Sequence, residues 1–231
     1  MINFKEEFEK AIKELYPDGP QWDLVGVITK GAKVYTLSYD SKILSGIFEI
    51  LTEPIVQRVA DNNSLFLHKG VQNQYTEFTL YDRADSVEKI AVDIKSTYRQ
   101  RNVVGEINKP FAFTLGSYRS YLQDPKGAKG ILFPYSHYKA HWIVGFIYDR
   151  NPGCRNVEIR NIIEASTLEA PYTNLDFFVQ EKHRIAGKLP GSGNTTNIGS
   201  IKSKDILSFI NGDGPFTTKE EFEHFWKKFV K

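Results

Sequence analysis

Apolar residues recur every three or four positions at the start of the chain, where Phe4, Phe8, Ile12 and Leu15 mark one face of a helix. Asn3 and Glu6 have the spacing of a capping box, and Pro17 sets the helix end before it. The period then drops to two, and residues 24–28 and 34–38 read as a hairpin turning on Lys30, Gly31 and Ala32. Asp40 is a good N-cap for a long helix that buries Ile43, Leu44, Ile47, Leu51, Ile55 and Val59, with Pro54 predicting a kink or break. Glu49 falls off that stripe, in line with Lys42, Ser45 and Glu53, so it faces water unless an acidic hairpin packs there. Residues 131–135 and 142–148 are apolar and β-rich enough to be central strands, and 177–179 reads as another. Two helices close the chain. One covers 203–211 with Gly212 as its C-cap residue; the other covers 217–229, opened by Thr218 and Glu221, with Phe222, Phe225 and Phe229 inward. No repeat or low-complexity tract interrupts this order, which predicts one mixed α/β (α+β) domain over 1–231.

The acidic hairpin is residues 77–95. Apolar and polar residues alternate through 77–81 and 89–98, and 82–86 is turn-like. Ile90, Val92 and Ile94 share one face, leaving Ala91, Asp93 and Lys95 on the other. With Asp82 opposite Glu88, constant position sums put Glu77 directly opposite Asp93. Cross-strand Cβ atoms lie only about 5 Å apart, and like charges there repel. A divalent cation held by oxygen ligands removes that repulsion, with Lys95 beside it. A solvated sheet face has the same composition, so both readings stand at this level.

Composition narrows the setting. A chain of 231 residues with 41% hydrophobic and 25% charged residues is long enough to bury a core. A net charge of +2 neither demands nor excludes nucleic acid. Cys154 is the sole cysteine, which precludes an internal disulfide and fits a reducing cytoplasm, and it sits in a loop with no evident base. The N-terminus reads as an amphipathic helix, not a signal peptide, and no apolar run reaches the roughly 20 residues of a membrane span.

Three further stretches stay ambiguous. Arg99, Arg101, Lys109, Arg119, Lys126 and Lys129, interleaved with Tyr118 and Tyr121, suit a phosphate-tracking surface or solvated loops. His137 and His141, four apart, would face a zinc ion on a helix, but no third ligand is near and packing is the simpler role. Residues 191–200 are too polar and glycine-rich for a core element. Such a loop suits close approach to a DNA major groove, where Asn pairs with adenine and Thr meets the thymine methyl, or it is a flexible surface loop.

The run AGKLPGSGNTTNIGSI at 186–201 resembles the recognition loop of the EcoRV branch of the PD-(D/E)xK restriction endonucleases. IAVDIKSTY at 90–98 resembles the active-site strand of that family, and the likeness continues in order through ILSGIFEILTEPI, FTLGSY, AHWIVGFIY and EEFEHFW. The resemblance implies a mixed β-sheet flanked by helices, a dimerisation part near 17–40 and a recognition loop at 187–200. It implies a cytoplasmic homodimer that cuts both strands of palindromic double-stranded DNA with Mg2+, or Mn2+ in its place. A cognate methyltransferase belongs to such a system. By position, Glu77, Asp93 and Glu49 take the metal-binding roles, and Lys95 joins them in catalysis. Gly191, Ser192, Gly193, Asn194, Thr195 and Thr196 take the major-groove contacts. Gln72 and Asn73, with Ser41 and Lys42, take the minor-groove contacts, and Thr97, Arg119 and Ser120 fall at the phosphates. The loop implies GATATC with a blunt central cut, leaving 5′-phosphate and 3′-hydroxyl ends. Three departures stand out: Thr76-Glu77 replaces the Pro-Asp of the family, Val71 a glutamine and Arg119 a threonine. Glutamate at 77 leaves open a weakened, DNA-binding dimer as an alternative. A structure-specific nuclease of the same superfamily is another.

Overall fold

A computed structural model of the chain describes residues 2–71, 74–125, 130–191 and 196–230. In chain order, α1 (Phe4–Leu15) precedes the hairpin β1 (Gly26–Ile28) and β2 (Lys33–Thr36), followed by the long α2 (Ser41–Asn62). The strands β3 (Phe66–Lys69), β4 (Phe78–Tyr81) and β5 (Lys89–Tyr98) come next. A short pair, β6 (Gln100–Arg101) and β7 (Ile107–Lys109), leads to β8 (Thr114–Ser117) and α3 (Tyr118–Tyr121). The long β9 (Tyr138–Arg150), β10 (Ile159–Asn161) and β11 (Tyr172–Glu181) follow. The chain ends with α4 (Lys182–Ile185), β12 (Ala186–Pro190), β13 (Asn197–Ser200), α5 (Leu207–Asn211) and α6 (Lys219–Lys228).

The centre is a five-stranded mixed sheet in the order β11-β9-β5-β4-β3. β5 runs parallel to β9, and the remaining pairs are antiparallel. Alternation along the two middle strands divides the apolar interior. Ile90, Val92, Ile94, Trp142, Val144, Phe146 and Tyr148 point into a core shared with α1 and α2. Ala91, Ile143 and Ile147 point into a second core, shared with β8, β13, α5 and α6. Phe48 of α2 stacks on Phe146 at 4.7 Å between centroids with an interplanar angle of 8°, fixing the helix over the sheet. Gly145 has no substitute at its position: a Cβ there would lie 2.1 Å from the ring of Phe178 on β11.

Several local expectations change in three dimensions. Asn3 does not cap α1 through its side chain; its Nδ2 donates instead to Glu6 Oε1 at 2.7 Å. Pro54 interrupts nothing, because the carbonyl deprived of its donor belongs to Ile50, on the exposed side of α2. Ile43 stays 39% exposed, since neighbouring positions 43 and 44 point about 100° apart and only Leu44 can be buried. Residues 131–135 form no strand: Ile131 makes one isolated bridge to Tyr75, and Pro134, lacking an N–H, starts a 3-10 turn over Tyr135–His137. That turn and β9 put His137 and His141 on different elements, so no helical zinc pair exists. Residues 203–206 stay outside α5, with Ser203 bridging to Phe111. Gly212 does close α5 with φ 70°, and Thr218 with Glu221 does form the capping box of α6.

Among the described residues no helix is long and apolar enough to cross a membrane. Because Phe48 joins α2 to the central strands, Phe48→Ala is expected to cost about 3–5 kcal/mol. Urea unfolding followed by circular dichroism checks this, read as a lower midpoint at unchanged slope.

Candidate active site

The register of β4 against β5 generates the site. Phe78 pairs with Val92, Thr79 with Ala91 and Leu80 with Ile90, so the next position of each strand sets Glu77 against Asp93. These are the pairings that the sequence predicts. The ladder ends at Phe78–Val92, and β5 continues alone on that side to Tyr98. Glu77 fills the gap with its side chain: Oε2 accepts from the backbone N–H of Ile94 at 3.3 Å. Lys95 Nζ donates to Glu77 Oε1 at 3.0 Å and lies 3.6 Å from Asp93 Oδ2.

The free end of β5 is one wall of a cleft. Glu77, Lys95, Ser96, Thr97 and Tyr98 line it from the sheet, Ser41, Ser45 and Glu49 from α2, and Thr114 from β8. Glu49 therefore faces the hairpin and not open water. Ser45 and Ser96, which no sequence signal marks, meet across the cleft at 3.0 Å between hydroxyls. Asp93 lies just beneath, 4% exposed.

Charge compensation is incomplete here. Burial and then the charge of Asp93 push the Glu77 carboxyl well above the ordinary range, outweighing Lys95. Burial also acts to raise Asp93, but Lys95, the hydrogen bond with Glu77 and the more distant Lys182 outweigh it, and Asp93 lies low. The two carboxyls therefore titrate as a pair in which a proton favours Glu77. Lys95 loses some basicity to burial but gains more from Asp93, Glu77 and Glu49, so its ammonium is stabilised.

Two converging carboxyl groups, one raised by burial and by the charge of its neighbour, form a donor set suited to a hard dication. Among the described residues no three His, Cys, Asp or Glu side chains converge as a ready-made metal cluster. Glu77 and Asp93 thus offer a two-carboxylate site, open to water and substrate oxygens as Mg2+ prefers. Glu49 lines the same cleft without completing a third ligand position.

The other sequence-marked positions divide. Ser41 and Thr97 lie in the cleft wall, and Lys42 is exposed one residue into α2. Arg119 and Ser120 are exposed on α3, directly after β8. Gly191 and Thr196 hold the base of the 187–200 hairpin: Gly191 N–H donates to the Asn197 carbonyl at 2.8 Å, and Tyr118 N–H to the Thr196 carbonyl at 3.0 Å. Gln72, Asn73, Ser192, Gly193, Asn194 and Thr195 lie outside the described residues, as do Lys126 and Lys129. A second cleft at the foot of that hairpin shares Ala112 and Phe113 with the acidic one, so the two residues before β8 join the two.

Residues 18–231 match the family model described as restriction endonuclease EcoRV. The chain is also 38% identical over 222 residues to the type II restriction enzyme EcoRV of Escherichia coli, a match covering 95% of this chain and 87% of that protein.

A carboxyl raised in the folded state loses stability as pH climbs from its ordinary value through the folded one. Glu77→Gln removes that loss. In metal-free protein the variant should melt above wild type near pH 8, and the difference should shrink as pH falls towards 4.5. Thermal scans in a chelator test this; a gap that grows towards acid would contradict the raised Glu77 carboxyl.

Proposed function

The chain belongs to the EcoRV restriction endonuclease family and is a site-specific deoxyribonuclease; from that premise we propose a Mg2+-dependent homodimer that cuts GATATC bluntly at its centre. The observation that carries the reading is the convergence of Glu77, Asp93 and Lys95 at the open end of β5. Glu77 and Asp93 would hold the cation against the scissile phosphate. When bound, Mg2+ supplies charge neutralisation at the phosphoryl oxygens and lowers the pKa of a coordinated water.

The residues do the rest. Lys95, kept as an ammonium by the two carboxylates, is a donor and not a base. It orients the attacking water and stabilises charge that develops on the phosphate. Glu49 faces the same space from α2 and suits a second cation or its water shell. Ser41 and Thr97 offer hydroxyls to the DNA along the cleft wall. In-line attack at phosphorus would break the bond to the 3′-oxygen, leaving 5′-phosphate and 3′-hydroxyl ends. Base reading falls to the 191–196 loop, whose Gly-Ser-Gly-Asn-Thr-Thr sequence carries the GATATC assignment by resemblance. Mn2+ would serve in place of Mg2+.

A palindromic site calls for a two-fold dimer in which each copy reads one half and cuts one strand. The small sheet β1-β2-β10 offers the matching surface. Val27, Tyr35 and Ile159 pair across its three strands on one face and are 53%, 40% and 60% exposed, an apolar face that monomers rarely leave in water. Val27 and Tyr35 fall in the dimerisation part expected near 17–40, and Ile159 extends the face beyond it. A second copy of this chain is the proposed occupant.

Two experiments check this reading. Plasmid digestion with Mg2+ should give discrete blunt fragments ending at GATATC, and Asp93→Ala should reduce cutting to background. A smear would indicate a structure-specific nuclease, and an intact plasmid with retained site-specific binding would indicate a weakened DNA-binding dimer. In sedimentation, Val27→Asp with Ile159→Asp should convert a dimer to a monomer and abolish double-strand cutting; an unchanged dimer would place the interface elsewhere.

A further inference from the structure

Lys182 is among the largest fully buried side chains of the protein, 2% exposed, and no sequence pattern marks it. Its Nζ donates to the Tyr75 hydroxyl at 3.2 Å, and that hydroxyl lies 2.8 Å from His141 Nδ1. The direction of this chain follows from donor capacity. An ammonium has donors only, so the Tyr75 hydroxyl accepts from Lys182 and donates its own O–H to His141 Nδ1. Burial first, then Lys219 and Lys182, hold His141 well below its usual range, so it is the neutral acceptor this order requires.

Among the described residues no carboxylate pairs directly with the buried ammonium; Asp93 acts on it only at longer range. A buried ammonium held by the hydroxyl and ring of one tyrosine, with no carboxylate beside it among the described residues, opposes stability, which marks such groups as functional candidates. Burial brings Lys182 down to about 8 despite the attraction of Asp93. Tyr75 lies two residues before Glu77, and its ring stacks on Tyr121 at 4.5 Å. Its N–H donates to the Gly130 carbonyl at 2.6 Å. The segment that delivers Glu77 is thus anchored at both backbone and side chain.

We propose that Lys182 is a positioning residue of the cleavage centre, a buried ammonium that fixes Tyr75 through its hydroxyl and so holds the segment that delivers Glu77. It touches neither metal nor DNA and acts through those residues. The proposal rests on the nuclease reading above.

The test uses Lys182→Met, which keeps the length of the side chain without the charge, and Tyr75→Phe, which keeps the ring and the ammonium. At saturating Mg2+, Lys182→Met should lower kcat at least about tenfold while KM for DNA stays within about twofold. Tyr75→Phe should lower kcat in the same sense. In metal-free protein, Lys182→Met should melt above wild type, because an uncompensated buried charge is removed. A lower melting point, including failure to fold, would make Lys182 a structural residue and overturn the proposal. So would kcat within about twofold of wild type in either variant, or a loss confined to KM. If wild type cuts no DNA, the nuclease reading fails, while the metal-free melting comparison still decides whether the buried charge opposes stability.

Discussion

The repulsion between Glu77 and Asp93 is the constraint on which the rest of the site depends. It is imposed by backbone pairing, since the β4–β5 register leaves these positions facing each other whatever their side chains prefer. The fold answers with Lys95, 3.0 Å from Glu77 and 3.6 Å from Asp93, and with a raised affinity of Glu77 for a proton. Neither answer satisfies both carboxylates at once. A site left under-compensated in this way gains from a dication, and proton release becomes part of binding it.

β5 also explains where the site can be. Its first half pairs on both sides, with β4 and β9, and divides the two cores by strict alternation. Its second half pairs only with β9, leaving an edge that α2 and β8 flank. The cleft is therefore a consequence of unequal strand lengths: β4 has 4 residues and β5 has 10. Rigid neighbours on one side and an open edge on the other suit a site that must hold acidic groups still while admitting a duplex.

Much of this was legible because it is local or periodic. Position sums fix Glu77 against Asp93, and two-residue alternation assigns Ala91, Asp93 and Lys95 to one face. The Asp40 cap and the Thr218–Glu221 box depend on neighbours in sequence. What stayed hidden depends on contacts between distant segments. Lys182 meets Tyr75 across 107 positions and Ser45 meets Ser96 across 51, separations that no period encodes. Glu49 was undecidable for a related reason: helical phase shows that it leaves the apolar stripe, but not which element lies opposite. The strand expected at 131–135 failed because apolar content was read without the effect of Pro134 on pairing.

The glutamate at 77 takes on a different meaning in this geometry. Its added methylene lets one carboxylate reach both the Lys95 ammonium and the Ile94 N–H, past the last ladder pair. An aspartate at the same backbone position is shorter and would have to give up part of that reach. Side-chain length here therefore substitutes for strand length: the carboxylate satisfies an N–H that a longer β4 would have paired. The same bond orients the oxygens, since Oε2 is committed to the backbone and Oε1 to Lys95. Any cation entering between Glu77 and Asp93 must compete with those donors, so the placement of the metal is coupled to the position of Lys95. Changing the residue at 77 consequently alters charge compensation, backbone pairing and metal geometry together, and none of the three can be tuned alone.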